Sequence, residues 1–264
     1  MDEQNGMNAT LPQAMQQHTY AIMYRVEGSH WWFAGRRRIL QSFMRDLAPQ
    51  SRQPVSAVRI LDVGCGTGAN LELLAQFGEA EGVDGSDAAL EYCRARGLTR
   101  VQKGLAEALP YAEGEFDLVT ALDVLEHLDN DVAGLREMWR VLRPGGRVLL
   151  FVPAFMWLWG IQDDISRHRI RYRRKQIAER ITRAGFAVER ATYANITFFL
   201  PILAGRALMK LTGLRPASEN NINVSALNGV FGQLLGAERF WLKRLNLPFG
   251  VSVICVARKI SPPP

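Results

Sequence analysis

Apolar positions along this chain follow two alternating patterns. Short apolar runs bounded by turn residues occur at 58–64 (VRILDVG), 80–84 (AEGVD), 100–104 (RVQKG), 116–123 (FDLVTALD) and 147–153 (RVLLFVP). These are strand patterns. Between them, 69–78, 87–97 and about 129–142 read as helices. Gly78 and Gly97 end the first two, Ser86 is an N-cap candidate, and Pro144-Gly145-Gly146 stops the third. Strands alternating with helices predict parallel strands joined by crossover helices, hence a doubly wound α/β sheet.

The flanks depart from this alternation. Residues 1–19 are polar and are expected to fray. A helix is predicted over about 33–48, with Ile39, Leu40, Phe43, Met44 and Leu47 on one stripe. Arg36 lies on that stripe, and a cation on a buried face needs an anionic partner. Residues 51–57 read as a linker. After Pro153 an aromatic loop runs into the basic segment DDISRHRIRYRR (163–174). A helix at 175–185 and strands at 186–193 and 249–259 follow. The interval of about 55 residues between these two strands is long enough to suggest a functional insertion.

Composition narrows the class. The chain has 264 residues, 48% of them apolar, which suits one large domain with appendages. Three cysteines without a C-x-x-C pair argue against a disulfide framework and for a reducing compartment. The first residues lack a basic stretch followed by an apolar one, so no signal peptide is expected. The apolar run 191–205 is too short and too polar to span a bilayer. The net charge of +6 is compatible with a solvated surface, an anionic substrate, an anionic membrane or RNA, and does not choose among them.

The stretch LDVGCGTG (61–68) closes a strand and opens a helix. Gly64, Gly66 and Gly68 permit a sharp turn and close approach to a ligand. Asp84 ends the next strand, where a carboxylate suits a ribose diol. The glycines are spaced two apart, unlike the dinucleotide fingerprint, so the loop is expected to face an amino-acid moiety rather than a pyrophosphate.

With LDVGCGTG, GVDGS, LAEALPY, FDLVTALDVLEHL and RVLRPGGRVLLFVP in this order, residues 58–153 resemble class I S-adenosylmethionine-dependent methyltransferases of the small-molecule branch. The segment EGSHWWFAGRRRIL (27–40) resembles the entry segment of quinone-biosynthesis O-methyltransferases. The resemblance implies a Rossmann-like, mostly parallel seven-stranded sheet. It implies S-adenosylmethionine as cofactor and S-adenosylhomocysteine as product. Gly64, Cys65 and Gly66 would line the methionine portion, and Asp62 would hold its amino end, directly or through water. Asp84 would take the ribose hydroxyls, flanked by Gly85 and Ser86. Ala106 and Glu107 would edge the adenine, and Leu122 and Asp123 would lie near the sulfonium. Trp32 and either Arg36 or Arg37 would meet the cofactor carboxylate from the N-terminal helix, with Arg36 preferred for its helical face. Many relatives carry an Asp where this chain has Leu105, which puts adenine recognition in doubt.

Candidate chemistry follows the fourth strand. A helical turn would bring Asp123, Glu126 and His127 to one face. His127 is a natural general base. The same three residues could hold a divalent metal, as the resemblance to some quinone and RNA-end methyltransferases suggests, or be plain scaffold. His168 and Tyr172 form a second candidate group, with Arg171 and Tyr172 able to grip a phosphate or carboxylate. In the insertion, FFLPILAGRALMKLTGL suits a lid over an apolar pocket or an interfacial helix, with Arg206 and Lys210 snorkelling.

These observations predict an N-terminal helical lid (1–50), a cofactor-binding core (51–193 and 249–260) and a helical insertion or substrate cap (194–248). The expected activity is methyl transfer to a hydrophobic or lipid-like, carrier-linked acceptor, at oxygen. The expected location is the cytoplasm, with peripheral membrane contact through 194–215. An RNA or protein methyltransferase and a non-catalytic cofactor-binding subunit are the alternatives. No nucleic-acid-binding module is evident, and Asp123-Val124-Leu125-Glu126 stands where base N-methylating enzymes carry an Asn/Asp-Pro-Pro-aromatic motif.

Overall fold

The computed structural model describes residues 17–48, 58–213 and 225–260. Two helices come first, α1 (Gln17–Val26) and α2 (Trp31–Leu47). The core then alternates: β1 (Arg59–Val63), α3 (Ala69–Leu74), β2 (Glu79–Asp84), α4 (Asp87–Ala95), β3 (Val101–Lys103) and β4 (Phe116–Leu122). It continues with α5 (Asp131–Val141), β5 (Leu142–Pro153), the short α6 (Ile161–Ile165), α7 (Arg174–Arg183) and β6 (Phe186–Ala194). The insertion contributes α8 (Phe199–Thr212), α9 (Asn228–Ala237) and α10 (Arg239–Leu242) before β7 (Ser252–Lys259).

The strands form one seven-stranded sheet in the order β3-β2-β1-β4-β5-β7-β6. All pairs are parallel except those of β7 with β5 and β6. This is the expected doubly wound sheet, with one reversed strand. Side chains alternate across it as the pleat requires. Leu61, Val119, Val148 and Leu150 join α5 and α7 on one face, around Met138, Ile177 and Phe186. Ile60, Leu118, Leu149 and Phe151 join α2 on the other, around Ile39, Leu40, Phe43 and Met44. The stripe read from 39–44 is therefore the buried face of α2.

Two helices were not foreseen. The N-terminal stretch expected to fray is helical from Gln17, while residues 1–16 lie outside the described residues. Its stability is tertiary: Thr19 and Tyr20 are buried, and Tyr24 packs on Tyr92 with ring centroids 4.7 Å apart. Within the expected aromatic loop, α6 forms around Asp163, whose carboxylate accepts the Gly160 N–H at 2.7 Å. Neither helix has an apolar period long enough to read from sequence.

The insertion folds back on the N-terminal helix. Helix α9 lies so close to α2 that a Cβ on Gly35 would stand 2.7 Å from Leu235 Cβ. Among the described residues, no helix is long and apolar enough to cross a membrane.

Candidate active site

A cavity of about 1540 Å³ opens over the carboxyl ends of β1, β2, β4 and β5. At one end lies the glycine loop. Gly64 and Gly66 hold φ of 67° and 55°, values that a side chain would strain. A Cβ on Gly66 would meet nothing within 4 Å, so this residue presents bare backbone to the cavity. Asp84 faces the loop with both oxygens held: Gly66 N–H donates to Oδ2 at 2.9 Å and Ser86 N–H to Oδ1 at 2.9 Å. Burial pushes its pKa up, and the N–H groups of Ser86, Gly66 and Gly85 oppose that shift. Cys65, Gly85 and Ser86 complete this wall, with Ala106 and Glu107 beside them. Leu105 is 40% exposed on the same wall and presents an apolar side chain there.

Asp62 is buried beneath the loop and does not line the cavity, which argues against direct contact with the cofactor and leaves the route through water. Thr120 Oγ1 donates to its Oδ1 at 2.6 Å. Burial pushes its pKa up to about 7.

The N-terminal helices cover this end. Trp32 and Arg36 both line the cavity. The Arg36 guanidinium lies 4.6 Å from the Phe151 ring centroid and is ion-paired with Asp123. The anion required on the buried stripe of α2 is thus supplied by the protein itself. Glu27, unforeseen in the sequence, is buried and accepts from Thr67 Oγ1 and, at 2.5 Å, from Arg96. This contact bolts the lid to the glycine loop.

At the other end, the reading of one face for Asp123, Glu126 and His127 needs correction. Asp123 takes a left-handed φ of 60°, and only a single 3₁₀ turn, Leu125–His127, follows it. The α-helical i, i+3, i+4 relation therefore fails, and Asp123 turns to Arg36. His168 takes its place: Glu126, His127 and His168 bring their ligand atoms within 4.8 Å of one another. Glu126 is fully buried, and neither carboxylate oxygen has a hydrogen-bond partner among the described residues. Burial and the nearby Asp123 carboxylate push its pKa well up. Burial and the His168 ring lower the His127 pKa to about 4, which keeps it neutral. A buried, unpartnered carboxylate beside two imidazoles fits a divalent cation.

Asp163 organises this end, and sequence reasoning missed it. Its Oδ1 lies 2.7 Å from His168 Nδ1 and accepts from Arg171 Nε at 2.8 Å. Although burial acts against it, hydrogen bonds and ion pairing with these partners hold Asp163 well below the usual carboxylate range. An ionised Asp163 makes His168 Nδ1 the donor, which leaves Nε2 facing Glu126 Oε1 at 4.0 Å. Tyr172 is a second correction. It is fully buried outside the cavity wall. Its hydroxyl lies 2.8 Å from Asp131 Oδ2 and 3.1 Å from the Leu125 carbonyl. It supports the turn under Glu126 and cannot grip an acceptor.

The insertion roofs this end. Pro201, Ile202, Arg206 and Met209 of α8 line it, with Phe198 and Phe231. Arg206 does not snorkel. It is buried, donates to the Leu158 carbonyl and lies 3.9 Å from Asp163 Oδ2. The apolar period of α8 gave no sign that its inner face would carry a charge.

Residues 61–150, which carry β1 to β5 of this sheet and the glycine loop, match the family model for a methyltransferase domain. In sequence the chain resembles the quinone-biosynthesis type. It is 36% identical over 134 residues to a ubiquinone biosynthesis O-methyltransferase of Methylococcus capsulatus, covering 46% of this chain and 56% of that protein. It is 39% identical over 117 residues to the methyltransferase GfsG of Streptomyces halstedii, covering 41% of each. The chain spans about half the length of the curated relatives it matches. Among solved structures, it is similar to a chain from the complex between the Haloferax volcanii Trm112 methyltransferase activator and a methyltransferase. That likeness has a TM-score of 0.59 at 18% identity, covers 93% of this chain and 98% of that one, and concerns the fold.

Proposed function

We propose that this protein transfers a methyl group from S-adenosylmethionine to a hydroxyl of a hydrophobic, lipid-like or carrier-linked acceptor. One observation carries the reading. A single cavity joins a backbone cradle with a preset carboxylate, Asp84, to an imidazole pair under an apolar helix. The cradle fits the cofactor: Gly66 leaves open space, and Asp84 offers oriented oxygens to a diol. Arg36 would meet the cofactor carboxylate on exchanging its Asp123 partner. Bound there, S-adenosylmethionine supplies an electrophilic methyl group.

The chain's own residues supply position, dryness and a proton acceptor. Helix α8 and the aromatic residues Phe198 and Phe231 exclude water from the acceptor end. His168, oriented by Asp163 and lining the cavity, is the group set to accept the hydroxyl proton through Nε2. His127 stands beside it with ring centroids 4.8 Å apart. Where a divalent cation is used, Glu126, His127 and His168 would hold it, and it would acidify the acceptor hydroxyl.

Peripheral membrane contact belongs to the same reading. On α8, Leu200, Leu208 and Leu211 are exposed on the outer side, near exposed Lys210. An apolar stripe with a cation suits an anionic lipid surface. Residues 214–215 of the segment expected to make this contact lie outside the described residues.

The test is transfer of a labelled methyl group from S-adenosylmethionine into a cell extract split into lipid, small-molecule, RNA and protein fractions. Label in the lipid or organic fraction, lost in Asp84→Ala, is expected. Label confined to RNA or protein would overturn the reading.

A further inference from the structure

The Arg36–Asp123 ion pair spans the two ends of the cavity, and its partners are unequally placed. Arg36 has 14% of its side chain exposed, against 36% for Asp123. The Arg36 guanidinium lies 4.6 Å from the Phe151 ring centroid and 5.8 Å from that of Trp32. A charge so enclosed needs an anion beside it. Asp123 is the one carboxylate in contact with it among the described residues. Glu126 also stands near, but it is fully buried, and burial and the Asp123 charge push its pKa well up, toward the neutral form. Arg37 is engaged elsewhere: its Nη2 donates to the Gly28 carbonyl at 3.3 Å. Asp123 lines the open cavity, where water can take over its hydrogen bonds. The aspartate is therefore the partner that can leave, provided that another carboxylate arrives.

We propose that Asp123 is a built-in competitor for the cofactor's carboxylate: it occupies Arg36 in the empty site and so limits how tightly the site holds S-adenosylmethionine and its product. This rests on the methyl-transfer reading and gives Asp123 a role beyond it. The exchange conserves charge at Arg36, because one carboxylate replaces another and the guanidinium is paired in both states. Breaking the internal pair weakens the binding of a ligand that carries a carboxylate and leaves a ligand without one unaffected. S-adenosylhomocysteine, which must leave after each turnover, keeps that carboxylate. Recapture of Arg36 by Asp123 therefore favours product release. Asp123 holds a left-handed φ of 60°, a conformation that Asn adopts readily. Asp123→Asn thus removes the charge and keeps the turn.

Two probes titrated calorimetrically into the full chain isolate the carboxylate: S-adenosylhomocysteine, and its decarboxylated analogue, which keeps the nucleoside and the ammonium group. Asp123→Asn should bind S-adenosylhomocysteine about threefold to fivefold more tightly than the wild type, as loss of one partly exposed ion pair allows. Its affinity for the analogue should stay as in the wild type. In an Arg36→Gln background, where nothing is left to compete for, the gain from Asp123→Asn should largely disappear. If Asp123→Asn disrupts the fold, which loss of both probes would report, Asp123→Gly suits the same left-handed turn and reads the same charge. Equal affinity of the wild type and the variant for S-adenosylhomocysteine would overturn the inference, as would an equal gain for both probes. Weaker binding by Asp123→Asn would place Asp123 on the cofactor's ammonium group and overturn it as well. A gain undiminished in the Arg36→Gln background would mean plain repulsion between carboxylates, with the same consequence. Failure of the wild type to bind S-adenosylhomocysteine would instead sink the methyl-transfer reading itself.

Discussion

The two ends of the cavity are built by different means. The Asp84 end is made of backbone: strand termini, a glycine loop with positive φ, and N–H groups that orient one carboxylate. The Asp163 end is made of side chains, with buried charges drawn from three separate segments of the chain around an apolar roof. A backbone site needs only the correct fold and a few glycines. A side-chain site depends on each long-range pairing, so it is easier to change during evolution and harder to read. The difference suggests a constant cofactor end and an adjustable acceptor end.

Substitutions can break or sharpen this contrast. Asp163→Asn frees the His168 tautomer, so kcat/KM for methyl transfer should fall by about 100-fold. Calorimetry with S-adenosylhomocysteine should find the cofactor affinity unchanged. A parallel loss of cofactor affinity would mean that the two ends are not separable. Glu27→Ala leaves half-buried Arg96 with only its 3.8 Å contact to Glu72 and should destabilise the protein by about 2 kcal/mol, seen as a lower urea midpoint. An unchanged midpoint would show that the lid is not bolted to the glycine loop. Gly35→Ala drives a methyl group into Leu235 and should cost about 1–3 kcal/mol by the same assay. If it costs nothing, α9 is not held against α2.

A further effect concerns pH. Asp62 has its pKa raised to about 7 in the folded protein, against about 3.9 when unfolded. Its folded state therefore holds the proton more tightly. The associated stability is full below about pH 4 and is lost as pH rises through about 7. Asp62→Asn removes this dependence, so the fall in Tm between pH 5 and pH 8 should shrink in the variant. An identical fall in both proteins would contradict the assignment.

The same contrast explains what could be read in the sequence. The sheet was legible because strand runs and helix stops recur at regular intervals. LDVGCGTG and Asp84 were legible because local geometry determines what they do. Asp62 sits in the same motif, yet a strand residue's facing depends on the pleat, and it points inward beneath the loop. Asp123 was grouped with Glu126 and His127 on the assumption of an α-turn, which a left-handed residue at Asp123 breaks. Glu27, Asp163 and the burial of Arg206 are products of contacts between distant segments. Tyr172 was assigned to the site from its neighbours, although its hydroxyl serves Asp131 and Leu125. A charge spaced like a surface residue carries no local mark of the partner that buries it.

The central claim is that the Asp84 carboxylate and the glycine loop form the cofactor site. Calorimetric titration of S-adenosylhomocysteine into the wild type and Asp84→Ala tests it most directly. The account predicts binding of one equivalent to the wild type and a loss of about 100-fold or more in the variant, from two charge-assisted hydrogen bonds to the ribose. Equal affinity in the two proteins, or no binding to the wild type, would contradict it.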